Sequence, residues 1–220
     1  MKNNEINISI DNERLINYGE NSAARVRPDG TAAGARAAAA AAAVLKRLER
    51  LKDESGSEWL LDNMYVARSR TRAAAAQLRR GGKLRRMPGG EPVVTYAARC
   101  LVRACRGAAD KHRIELYLEG FQKKNGLTEK ELHLFLPALE CALLEYLSKD
   151  ADRAEAVFKT LNYTCSAELS DLLEEKSAIG RRLMKDPAGV YPLMDRDSRA
   201  MYRRELARAA EKLGNVVTAC

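Results

Sequence analysis

The sequence predicts an all-α fold, an irregular bundle of about seven or eight helices, and three observations predict it. Aromatic residues make up only 5%, while Ala, Leu, Arg and Glu dominate, and these lose little rotamer freedom in a helix. Fourteen glycines and six prolines are too few for a chain of many hairpins. Apolar residues recur at helical spacing in segment after segment, with no strand–helix alternation of the kind a nucleotide-binding α/β fold needs.

Residues 1–30 read as a flexible tail. Ile6, Ile8 and Ile10 alternate with polar residues, but a lone strand has nothing to pair with, and Arg27-Pro28-Asp29-Gly30 signals a turn. An alanine-rich helix is expected over 31–54. Ten alanines among the twelve residues from Ala32 to Ala43 lead into Val44, Leu45, Leu48 and Leu51 on one face. Alanine favours helix but buries little, so this segment is expected to fray at its start.

The bundle proper is expected over 55–214. Ser57 fits an N-cap for a helix carrying Trp59, Leu60, Leu61, Met64 and Tyr65. Pro92 opens the next, with Val93, Tyr96, Ala97, Cys100 and Leu101, and another runs from about Ala109 to Lys124, ended by Asn125-Gly126. Thr128-Glu129-Lys130-Glu131 has capping-box form, and the helix it starts is apolar on more than one side, which places it at the centre. Pro137 is expected to kink that helix without ending it. Further helices are expected near 150–161, 167–184 and 195–214, with Gly214 as a C-cap and 215–220 as a tail.

Charge is uneven. The net charge is +8, and between Asn63 and Gly90 stand Arg68, Arg70, Arg72, Arg79, Arg80, Lys83, Arg85 and Arg86 with no acid among them. Such a stretch suits an anionic membrane surface, an acidic partner or nucleic acid, or simply a solvated face. No aromatic is interleaved for base stacking, which disfavours nucleic acid. The longest uncharged apolar run, Ala37 to Leu45, is far short of the ~20 residues a membrane span needs. The polar N-terminus shows no secretory leader, and five cysteines without a CxxC pair fit a reducing, cytoplasmic setting.

Reactive patterns are missing. His112 and His133 stand outside any HExxH arrangement, and no GxxxxGK[ST] loop or GxSxG elbow is present. Asp195-Arg196-Asp197 matches the D-x-D by which many sugar transferases hold a divalent cation. Here the pair opens a helix, where Asp195 suits an N-cap and both charges suit the helix dipole. Glu174-Glu175 are helix neighbours pointing different ways, unlike a glycosidase acid pair facing across a cleft. No catalytic, cofactor-binding or metal-ligating residue is assigned.

Several segments in order do resemble a known family: Glu58-Trp59-Leu60-Leu61-Asp62-Asn63 with Tyr65; Pro92-Val93-Val94-x-Tyr96-Ala97; Phe121-Gln122 before Leu127-Thr128-x-x-Glu131-Leu132; and Asp186-Pro187-Ala188-Gly189-Val190-Tyr191-x-x-Met194-Asp195 with Ser198-Arg199-x-x-Tyr202-Arg203. Their order and spacing, over roughly 57–213, resemble the N-terminal region of the bacterial cyclic β-1,2-glucan synthases. Those are large membrane-associated glycosyltransferases with a glycoside-phosphorylase-like part near the C-terminus. Val93 and His133 depart from the family, which has arginine and tryptophan there. The family's catalytic parts lie downstream, so no catalytic residue carries over. The resemblance implies a leading helical module, partnered by that catalytic part, which supports it or positions it at the inner face of the membrane through the stretch Arg68 to Arg86. The alternative expectation is an independent basic module for nucleic acid.

Overall fold

The computed structural model describes residues 12–56 and 58–212, and it is helical almost throughout. The chain runs α1 (Asn12–Ala24), β1 (Thr31–Ala33), α2 (Gly34–Ser55), α3 (Glu58–Arg80), β2 (Lys83–Arg85), α4 (Val93–Ala104), α5 (Lys111–Gln122), α6 (Glu129–His133), α7 (Phe135–Leu147), α8 (Ala154–Tyr163), α9 (Ala167–Lys176), α10 (Ala178–Leu183) and α11 (Arg196–Lys212). Short 3-10 turns sit at Ala151–Arg153 and Tyr191–Leu193. The all-α expectation holds. The proposed Ser57 cap, the Ile6–Ile10 strand and the Gly214 cap fall outside the described residues.

Helix α7 occupies the centre, as its all-round apolarity predicts. It packs against α2, α3, α4, α6 and α8, and Phe135, Leu139, Leu143, Leu144 and Leu147 are buried. Thr128 and Glu131 form the capping box read from the sequence: the Thr128 hydroxyl accepts the Glu131 amide, and Glu131 accepts the Thr128 amide. The expected kink at Pro137 is instead a break at Leu134, whose ψ of 4° lies outside the helical range. That places Pro137 in the first turn of α7, where an N–H would have no acceptor within the helix and its absence costs little.

Part of the expected tail is helix. α1 packs lengthwise on α5 with Leu15, Ser22 and Ala23 buried. The two backbones meet at glycines. A Cβ on Gly19 would overlap the Tyr117 carbonyl oxygen, and one on Gly120 would overlap that of Ile16. The α1 face carries one glycine and small residues, Gly19, Ser22 and Ala23, which leave little periodic apolar signal, and that is why the sequence reads there as tail.

The alanine-rich segment is not a separate piece. α2 and α3 form a hairpin, and Ala37, Val44 and Leu48 join the main core. Gly56, at φ 62° in the left-handed region, ends α2. β1 and β2 close the far end as a two-stranded antiparallel ribbon with Ala32 opposite Leu84, and the Gly34 amide donates to the Gly82 carbonyl at 2.7 Å. Alanine and arginine carry no strand signal; the ribbon follows from the hairpin bringing distant residues together. Of the described helices, none is long and apolar enough to cross a membrane.

Candidate functional site

The basic stretch splits into two kinds of residue. Carboxylates from other elements engage half of it. Arg68 Nε donates to Glu49 at 2.9 Å, Arg70 reaches Glu140 at 3.4 Å, and Arg86 Nε donates to Asp29 at 3.0 Å. Arg85 Nε donates to both oxygens of Glu131 at 3.0 Å, while its Nη2 donates to the Gly126 carbonyl. Glu131 is 1% exposed, so this bidentate pair is a structural tie holding β2 to the start of α6. Arg72, Arg79, Arg80 and Lys83 are exposed and form no ion pair with a described residue. The eight cations of the sequence therefore become four, along the end of α3 and the start of β2. The sequence could not show this, since every neutralising acid is distant in the chain.

The second candidate region lies between α9, α10 and α11, where an open cleft of about 1100 Å3 is lined by Asp171, Glu175, Arg181, Lys185, Asp197 and their neighbours. Its floor is an ionic network. The buried Glu174 carboxylate accepts from the Tyr191 hydroxyl at 2.7 Å, from Arg199 Nε at 3.1 Å, and pairs with Arg203 at 2.6 Å. Arg203 also donates to the Tyr191 oxygen at 2.8 Å. Arg196 clasps Asp171 with two bonds, at 2.9 and 2.8 Å, and these bonds hold the Asp171 carboxyl below its ordinary value. Burial, then the hydrogen bond to Glu174, raises the Tyr191 phenol.

The D-x-D pair sits at this cleft as a cap. Asp195 accepts the Ser198 amide at 2.9 Å and its hydroxyl at 2.7 Å, the geometry of an N-cap on α11. Those bonds lower the Asp195 pKa. Asp186 organises the preceding turn by accepting the amides of Ala188, Val190 and Tyr191, which lowers its pKa likewise. No group of three or more His, Cys, Asp or Glu among the described residues is arranged to hold a metal ion.

Other titratable groups are structural. Glu129 accepts the Ser177 hydroxyl at 2.7 Å and the Ile179 amide at 3.1 Å, fixing the junction that divides the expected 167–184 helix into α9 and α10. Glu140 accepts from Thr164 at 2.9 Å, and burial raises its pKa. Burial pushes the thiols of Cys105 and Cys141 up to about 12, so both are small hydrophobes. His112 contacts Asn12 at 3.2 Å. His133 faces α11, where desolvation and then Arg204, Arg203 and Arg208 lower its pKa.

Many residues of the resembling segments converge on this architecture. Leu60 and Phe121 are in the core, Gln122 accepts the Leu127 amide, and Thr128 and Glu131 form the capping box. Asp186, Tyr191, Asp195, Arg199 and Arg203 build the α9–α11 floor. No protein-family model, curated protein or solved structure matches this chain.

Proposed function

We propose that the chain is a non-catalytic helical module of a glucan synthase-like glycosyltransferase, supporting the catalytic part and positioning it at the membrane. The observation that supports this reading is how its distinctive polar residues are used. Tyr191, Arg199 and Arg203 close on Glu174, and Asp195 of the D-x-D caps α11, so the polar groups of the resembling segments serve to hold the helices in register. A carboxylate locked between two guanidiniums and a phenol is an unavailable metal ligand.

Two measurements test it. The purified chain given UDP-glucose is expected to release no UDP and form no glucan; turnover by the chain alone would overturn the reading. Deleting its coding segment in the source organism is expected to lower cyclic β-1,2-glucan, and an unchanged glucan level would sink the accessory role.

A further inference from the structure

Six of the ten large apolar side chains exposed among the described residues fall between Met184 and Leu206: Met184, Val190, Leu193, Met201, Tyr202 and Leu206. Leu193 is 87% exposed, more than any other of the ten. Helix α11 has no buried residue within its described side chains, yet its outward surface is patterned. At about 100° per residue, Arg199, Arg203, Ala207 and Ala210 form the edge turned to α9, α10 and α6. On the outward half, Tyr202 stands on one side and Arg204 and Arg208 on the other, with Met201 between them, while Leu206, 40% exposed, lies at the rim next to Arg199.

Cations accompany these apolar groups. Arg182, Lys185 and Arg204 are exposed and form no ion pair with a described residue. Two acids stand on the outward face: Glu205 is occupied by Arg208 at 2.6 Å, and Asp197 lies in the first turn of α11. Exposed leucine, methionine and tyrosine set among unpaired cations match the chemistry of an anionic bilayer interface, where apolar side chains enter the acyl boundary and cations meet phosphates. Nucleic acid offers no hydrocarbon for Leu193 or Leu206. The α3 cations Arg72, Arg79, Arg80 and Lys83 are flanked instead by alanines, from Ala73 to Ala76, which have little to insert.

We infer that the surface formed by α10, the Tyr191–Leu193 turn and the outward face of α11 seats the protein on an anionic phospholipid membrane. This deepens the proposed function by naming its membrane-facing side, and it assigns that side to elements other than the basic stretch to which the sequence points.

Flotation with phosphatidylcholine vesicles, with and without phosphatidylglycerol, is the test. The full chain is expected to float with the phosphatidylglycerol vesicles alone. Leu193→Ser/Met201→Ser/Leu206→Ser and Arg182→Ser/Lys185→Ser/Arg204→Ser, both wholly at exposed positions, are each expected to weaken partitioning by roughly tenfold or more while circular dichroism stays unchanged. Arg79→Ser/Arg80→Ser/Lys83→Ser is expected to float like the parent chain. The inference is overturned if the chain does not float, if it floats equally with neutral vesicles, or if only the Arg79/Arg80/Lys83 variant loses binding. Binding to a duplex oligonucleotide at an affinity equal to that for vesicles would also overturn it. Any of these would leave the UDP-glucose and deletion results, and so the accessory role, standing on their own.

Discussion

The Tyr191 hydroxyl donates to Glu174 at 2.7 Å, and this contact joins the connection before α11 to the last turn of α9. Both residues are buried, and the same carboxylate faces Arg199 and Arg203. Tyr191→Phe removes one donor and leaves both arginines in place, so it is expected to cost about 1 kcal/mol. Glu174→Ala strands two guanidiniums and is expected to cost about 3 kcal/mol. Thermal unfolding of the two variants, with parent as reference, checks the order.

The basic stretch divides into ties and free charges, and single substitutions should show it. Arg85→Ala leaves the buried Glu131 without its partner and is expected to cost about 3 kcal/mol. Arg72→Ala and Arg79→Ala, at exposed unpaired positions, are expected to stay within about 0.5 kcal/mol of the parent. Urea denaturation midpoints measure both.

The seating of α1 depends on Gly19 and Gly120. Gly120→Ala places a methyl against the Ile16 carbonyl and the Glu20 amide, backbone atoms that only a shift of the whole helix can move. The expected result is loss of amide-exchange protection across α1 with α7 still protected. Gly56→Ala, with open space around it but a φ of 62°, is expected to cost about 1 kcal/mol from backbone strain alone.

Glu140 carries the opposite pH signature from the carboxylates near α11. Its pKa is raised by burial, so the folded state holds that proton more tightly, and ionising it at neutral pH opposes folding. Glu140→Gln keeps an acceptor for Thr164 and is expected to unfold a few degrees higher than the parent at pH 8, with the gap closing as pH falls through the raised value.

For Asp186 and Asp195 the folded values are depressed, so their contribution is present above the ordinary aspartate pKa and disappears as pH falls through the lowered one. Hydrogen exchange at pH 7 and near pH 3, corrected for intrinsic rates, is expected to show α10 and α11 opening in acid before α4 and α7 do. Simultaneous opening of all helices would contradict this.

Much of the core was legible in local pattern. Thr128 and Glu131 announced a capping box, and the leucines from Leu132 to Leu147 announced a central helix, because both signals are complete within a few turns. Features depending on distant partners were not legible. Arg199 and Arg203 show helical spacing, but their acid stands on another helix. Ser177 looks like an interior residue until Glu129, 48 positions earlier, is seen to accept its hydroxyl. The basic stretch misled for the same reason: Asp29, Glu49, Glu131 and Glu140 reach it only through the fold.

The pairing of α1 with α5 also has a consequence for how the protein comes off the ribosome. Asn125 Nδ2 donates to the Ala23 carbonyl across 102 positions, so the seat for α1 does not exist until more than half the chain has been synthesised. Until then α1 has no partner, and its glycine-marked face is open to whatever the emerging polypeptide meets. The first of the described helices is thus bound to be a late arrival in the finished structure.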